Sequence, residues 1–188
     1  MGIESPHSRP TFGLEELGLL DTHPSKSFDV IVDLCGQAVG VPIVAFIVFD
    51  DATASLVIRS AIRDSNIRIG PLKGQITESV SALVREDQGL VSIDDLSARD
   101  DTKNAIERRV MGATGFVGAP VRGPADEIVG VLAAMSPTAT NWTEKNRQLV
   151  RGYAYLMSEQ VMLKAALQTV RLMASERQDQ PPPTPYAN

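Results

Sequence analysis

The sequence predicts one domain of the α/β class: a largely buried sheet, covered on both faces and followed by a long C-terminal helix. Three observations carry this reading. The run IVAFIVF at 43–49 is continuously apolar, which suits a central strand enclosed on both sides. FVGAPVR (116–122) and IVGVLAAMS (128–136) flank the short loop Gly123-Pro124-Ala125-Asp126-Glu127, the spacing and chemistry of a hairpin. From Thr143 to about Arg177 there is no proline, and Gly152 is the one glycine, so a single long helix can form.

At 188 residues, 43% of them apolar and 22% charged, the chain can bury one core but is short for two. The formal net charge of -5 argues against nucleic acid or an anionic membrane as partner, because phosphate attraction needs a basic surface. MGIESPHSRP places Glu4 and two prolines where a signal peptide needs an apolar core. No apolar run reaches the ~20 residues of a membrane span. The expected location is the cytoplasm.

Residues 1–11 read as a loose arm and 12–20 as a short helix, with Phe12, Leu17, Leu19 and Leu20 apolar. Asp21-Thr22-His23-Pro24 breaks the chain, since the residue before proline avoids the helical region. Ser25 is placed to cap a helix over 26–39, with Phe28, Ile31, Val32, Cys35 and Val39 on one stripe. Gly40-Val41-Pro42 stops it before strand 43–49. After Asp50-Asp51-Ala52-Thr53, residues 55–63 form a second strand. Simple alternation puts Leu56, Ile58 and Ile62 on one face, and Ser55, Val57, Arg59, Ala61 and Arg63 on the other.

Residues 64–75, with breakers Gly70-Pro71 and Gly74, read as irregular. Residues 76–87 carry Ile76, Val80, Leu83 and Val84 at helical spacing. A short strand LVSI (90–93), an acidic loop (94–101) and a helix near 102–111 precede the hairpin. The domain therefore spans 12–175, and the Pro181-Pro182-Pro183-Thr184-Pro185 segment lies in an extended tail, 176–188.

Catalytic signatures are missing. His7 and His23 are the two histidines, each remote from any cysteine or carboxylate cluster, and Cys35 is the single cysteine. That pattern offers no zinc site, no CxxC pair and no intramolecular disulfide. Neither GxSxG, GxxxxGK[ST] nor GxGxxG occurs. The glycines of Gly112–Gly118 lead into a strand, whereas a phosphate cradle opens a helix. Asp50/Asp51, Asp94/Asp95 and Asp100/Asp101 read as turn residues. No catalytic residue, metal or cofactor is expected.

The ordered set of short motifs resembles the GAF domain family over about 14–167. Gly18-Leu19-Leu20-Asp21-Thr22-His23-Pro24 with Phe28-Asp29 is similar to the opening of bacterial GAF domains, as is Gly40-Val41-Pro42-Ile43. So are Leu90-Val91-Ser92-Ile93-Asp94-Asp95-Leu96-Ser97, then Phe116-Val117-Gly118-Ala119-Pro120-Val121, Val129-Gly130-Val131-Leu132 and Trp142-Thr143-Glu144. The resemblance implies a central antiparallel sheet of five to six strands, with terminal helices on one face. On the other face it implies a ligand pocket walled by 55–63, 76–84, 93–101 and 116–120.

Several ligand chemistries of similar domains find no counterpart here. Many carry Cys and His where this chain has Ser81 and Leu83, which argues against a covalent bilin. The free methionine sulfoxide reductases of this fold use several cysteines, and Cys35 falls on an apolar stripe. The NKFDE signature of cyclic-nucleotide binders is absent, and no histidine falls in the expected pocket to hold haem.

Function is therefore expected to be regulatory: a stand-alone sensory module that takes an unknown small molecule reversibly, dimerises, or does both, signalling to a partner in trans. The alternatives are an assembly adaptor with no ligand and an unrecognised enzyme. Arg59, Ser79, Ser81 and Asp94 are the candidate polar groups of the pocket. Cys35 is expected to be buried and inert.

In the long helix, Leu149, Tyr153, Leu156, Gln160, Leu163, Leu167, Val170 and Ala174 follow alternating steps of four and three, a coiled-coil seam. Val150, Ala154, Met157 and Val161 form a second stripe that ends near 161. One stripe can pack on the sheet while the other meets the same helix of a second copy. Alternatively, residues 12–20 fold back over the seam within one chain.

Overall fold

Ile43–Asp50 forms the central strand β1, buried at every residue, as its unbroken apolar run predicts. The computed structural model describes residues 13–20, 25–63, 67–69 and 72–178. The expected arm, the Asp21–Pro24 break, the Gly70-Pro71 breaker and the tail beyond 178 lie outside them, as do His7 and His23; residues 176–178, expected in the tail, continue α4. Around β1 the sheet adds β2 (Ser55–Arg63), β3 (Ile67–Ile69), β4 (Leu72–Gln75), β5 (Val91–Ile93), β6 (Gly115–Arg122) and β7 (Ile128–Ser136). Every pairing is antiparallel. The order is β3-β2-β1-β7-β6-β5, and β4 also pairs with β2, so six strand positions lie side by side. The expectation that 64–75 is irregular is corrected: β3 and β4 share the edge beside β2, supplying its outer ladder bonds.

The helices are α1 (Lys26–Val39), α2 (Ser81–Glu86), α3 (Ile106–Met111) and α4 (Glu144–Gln178). Gly40 ends α1 in the left-handed region (φ 76°), its amide donating to Gly36. Ser25 stands at the N-cap position, but its hydroxyl pairs with that of Ser27 at 3.2 Å rather than capping the helix. Thr143 does cap α4. Its hydroxyl accepts from the Asn146 amide (3.2 Å) while Asn146 Oδ1 accepts from the Thr143 amide (3.1 Å), a reciprocal capping box.

Two cores lie on opposite faces of the sheet. On the first, α1 and α4 cover Val44, Phe46, Val48, Val117, Ala119 and Leu132. Val150, Ala154, Met157, Val161 and Ala165 supply the buried stripe of α4; each large side chain so buried stabilises the fold by about 1.5–3 kcal/mol. Asn146 Nδ2 donates to the Val39 carbonyl and Lys164 Nζ lies 5.2 Å from the Phe28 ring centroid, so α1 and α4 run antiparallel. On the second face, Ala45, Ile47, Ile58, Val84, Leu96, Ile106, Met111, Phe116 and Val131 pack together.

Three local expectations are corrected. Residues 13–20 form one helical turn rather than a helix: Leu19 N–H reaches back to Leu14 and Gly18 N–H to Glu15, with Gly18 at φ 64°. That is the ending of a helix barely begun, though Leu17 and Leu19 are buried against the first core. Segment 76–87 is split into a 3-10 turn at Ile76–Glu78 and α2, with Ser79 extended between them. The third helix starts at Ile106, four residues late, because the Thr102 hydroxyl bonds the Leu96 carbonyl (2.8 Å) and holds the preceding residues in turns.

In β2 the alternation is broken. Phe46 pairs with Ser60 and Ile47 with Ile58, a register shift that leaves Arg59 as the extra residue of a β-bulge. Leu56, Ile58 and Ala61 therefore join the second core, while Ile62 crosses to the first. Grouping Ile62 with Leu56 and Ile58 is the error that an unseen bulge produces.

Candidate functional site

The four candidate pocket residues do not converge. Arg59 points away from α2 and α3: it is buried under α1, its guanidinium carbon 5.9 Å from the Phe28 ring centroid. Its neighbour Ser60 turns the same way and donates to Asp29 Oδ1 at 2.5 Å. Alternation already sets Arg59 opposite Leu56 and Ile58, and the bulge turns Ser60 to the same side instead of the next. Asp94 is exposed at the end of β5, where its carbonyl accepts from Thr140 N–H (2.9 Å) and its carboxylate from Trp142 N–H (3.4 Å). With Trp142 Nε1 donating to the Ile93 carbonyl (3.1 Å), it fastens the start of α4 to the sheet.

Ser79 and Ser81 do come together, around a residue that sequence patterning missed. Glu107 of α3 is fully buried. Its carboxylate accepts the Ser79 hydroxyl, the Ser81 hydroxyl at 2.9 Å, the Val80 amide at 3.1 Å and the Ser81 amide at 3.2 Å. Four donors satisfy a buried carboxyl group that would otherwise be costly. They also explain why segment 76–87 breaks at Ser79: its hydroxyl and two following amides turn to Glu107 instead of continuing a helix. Glu107 sits among charged neighbours Arg108 and Arg109, so its sequence context reads as a solvated face.

All four segments expected to wall a pocket contribute to the second face. Leu56, Ile58, Ile76, Val80, Val84, Ile93, Leu96 and Phe116 are each buried there. They pack against one another, and the two serines are held by Glu107.

Hollows bordered by described residues lie elsewhere. A hollow of about 730 Å³ opens at the sheet end between Leu14, Leu20, Phe49, Asp51, Glu127 and Ile128. Another of about 280 Å³ is bordered by Lys103, Arg108, Arg109 and Thr114. A third, about 260 Å³, lies on α4 between Gln148, Leu149, Gly152, Tyr153 and Leu156. None of the three is lined by Arg59, Ser79, Ser81 or Asp94.

The terminal helix separates its two stripes as its sequence predicts, with one difference: burial continues one turn beyond Val161, to Ala165. Along the seam, Leu149, Tyr153 and Gln160 are half-buried. Leu156, Leu163, Leu167 and Val170 are 48%, 51%, 50% and 63% exposed. Residues 13–20 leave these four uncovered.

Cys35 is buried on the first face, and burial pushes its thiol up to about 12. Among the described residues no group of three or more His, Cys, Asp or Glu side chains could hold a metal ion. None of their helices is long and apolar enough to cross a membrane.

Comparison with known proteins agrees with this architecture. The GAF domain profile matches residues 23–161. The GAF domain of an Acinetobacter phosphoenolpyruvate-protein phosphotransferase superposes with a TM-score of 0.61 at 17% identity, covering 83% of this chain and 96% of that one. The blue-light absorbing form of the Thermosynechococcus elongatus PixJ GAF-domain gives 0.60 at 15% identity, covering 82% and 92%. A free methionine-R-sulfoxide reductase from Neisseria meningitidis, solved with its substrate, gives 0.58 at 16% identity, covering 82% and 87%. No curated protein matches the chain in sequence. At these identities the solved structures share the fold and nothing finer, but the profile spans most of the chain: this protein belongs to the GAF domain family.

Proposed function

We propose that this chain is a cytoplasmic, non-catalytic GAF regulatory module that works as a homodimer joined along α4 and signals to a partner protein in trans. One observation carries the reading: Leu156, Leu163, Leu167 and Val170, at heptad-seam positions, stay exposed on α4 while the adjacent stripe is consumed by the module's own core. Leu163, Leu167 and Val170 lie on a helix that runs 13 residues past Ala165, the last buried position among its described side chains, to Gln178, about 20 Å of rod. An exposed apolar stripe of this kind is an interface.

A second copy is the occupant because the seam is self-complementary. With Tyr153, Gln160 and Leu167 at a and Leu156, Leu163 and Val170 at d, Glu159 falls at g and Lys164 at the e position five residues on. In a parallel pair, g of one helix faces the following e of its partner, which puts the opposite charges of Glu159 and Lys164 at facing positions; in the single chain Lys164 Nζ lies over the Phe28 ring and would turn outward to pair. Replacing Leu163 and Leu167 together by Glu tests this: the variant is expected to stay folded and become monomeric.

The closed second face favours a particular form of the proposal. With Ser79 and Ser81 committed to Glu107, and their neighbours packed, the module assembles without a molecule held between the sheet and α2–α3. A small molecule that acts on it binds one of the surface hollows. Thermal-shift screening separates the forms, since a native-state ligand raises the melting temperature. The catalytic reading is disfavoured by the buried thiol, whose proton is held up to about 12, far from the thiolate that cysteine chemistry requires.

A further inference from the structure

Gly152 is the one glycine within the 35 residues of α4. In a helix interior glycine is less favourable than alanine by about 1 kcal/mol, so its presence calls for a steric reason. The chain itself supplies none: a Cβ built there meets nothing within 4 Å, and the residue is exposed. What surrounds it is the hollow of about 260 Å³ formed with Leu149, Tyr153, Leu156 and Gln148.

In the heptad assignment above, Leu149 is d, Gly152 is g, Tyr153 is a and Leu156 is the next d. Those four positions are the hole that receives an a-position knob of the facing helix in a parallel pair. At that level the knob is the second copy's own Tyr153, a side chain larger than the aliphatic residues usual at a. A glycine at g widens the hole to take it.

We infer that the hollow at Gly152 is a preformed socket for Tyr153 of a second copy, in which each helix offers one socket and one tyrosine across a two-fold axis. This rests on the parallel-dimer reading and adds its point of closest approach. Isologous symmetry demands the reciprocity: whatever residue 153 enters must lie on the same patch that bears residue 153. Tyr153 is half-buried against its own core, so the knob is partly ordered before association.

The test uses the full chain, Gly152→Ala, Tyr153→Leu and the double variant, with dimer dissociation constants from analytical ultracentrifugation and melting temperatures at concentrations where the monomer dominates. A Cβ at 152 fills the socket, so Gly152→Ala is expected to weaken the dimer ~10-fold or more. The same change raises the monomer's melting temperature by roughly 2–4 °C through helix propensity. Tyr153→Leu in the Gly152→Ala background is expected to restore much of the lost affinity, because a smaller knob fits the filled hole. Opposite signs on monomer and dimer, together with this rescue, support the socket. If the wild type dimerises and Gly152→Ala leaves the dimer equal or tighter, the socket is overturned and the seam stands. A monomeric wild type overturns both.

Discussion

Ser81 Oγ donates to Glu107 Oε1 across 2.9 Å, and both residues are fully buried. This bond ties α2 to α3 over the second face of the sheet, where the family resemblance led one to expect a pocket. It defines Glu107 as a structural acceptor and the two serines as its donors.

Removing that acceptor leaves the Ser79 and Ser81 hydroxyls and the Val80 amide buried without it, while the Ser81 amide keeps Ser79 Oγ at 3.0 Å. Glu107→Ala is expected to destabilise the domain by about 3 kcal/mol or more. Glu107→Gln, which keeps one carbonyl oxygen, is expected to cost distinctly less. Urea unfolding measures both; equal and small losses would show that the cluster contributes little.

Cys35 makes two testable claims. Its thiol stays protonated in the fold up to about 12, against 9.0 for an unperturbed cysteine. The proton is therefore bound more tightly in the folded state, and stability is full below pH 9. It is lost as pH rises from 9 toward 12, because the unfolded chain then binds fewer protons. The wild type should lose up to about 4 kcal/mol more than Cys35→Ala across that window. Native thiol labelling at neutral pH should be slow and limited by opening of the fold; rapid labelling would place Cys35 at an accessible site.

Much of this was legible in sequence, and the line between legible and hidden is physical. Helix α1, strands β1, β2, β6 and β7, and helix α4 were read because periodicity and caps such as Thr143 are local signals. The β-bulge at Arg59 was not, since it is a property of pairing with Phe46 and Ile47, and it turned Ile62 to the other face. Strands β3 and β4 are too short to announce themselves and form because β2 offers them an edge. Glu107 was invisible because its partners lie 26–28 residues away and its own neighbours are arginines. Ser79 and Ser81, expected among the polar groups of a ligand pocket, do meet, but around the internal acceptor Glu107.

The N-terminal box of α4 gives a third expectation. Thr143→Ala removes one acceptor of an orphan helical amide and the partner of Asn146. The expected loss is about 1 kcal/mol, read as a lower urea midpoint with unchanged slope. Thr143→Ser should restore most of it.

Orientation of the two copies can be read by cross-linking. In a Cys35→Ala background, which removes the single native cysteine, Leu163→Cys places one thiol at a d position. In a parallel, in-register pair the two thiols face each other within disulfide reach. Mild oxidation should then give a covalent dimer, whereas Arg151→Cys, on the outer side of the helix, should not. Efficient cross-linking from Arg151→Cys and none from Leu163→Cys would contradict the seam.

The most direct test of the account is the mass of the wild-type chain by multi-angle light scattering over a concentration series reaching the high micromolar range, beside Leu163→Glu/Leu167→Glu. Assembly along α4 predicts a wild-type mass twice the 20.2 kDa of one chain, and a variant at the single-chain mass with unchanged circular dichroism. A wild type that remains at the single-chain mass at the highest concentration would contradict it.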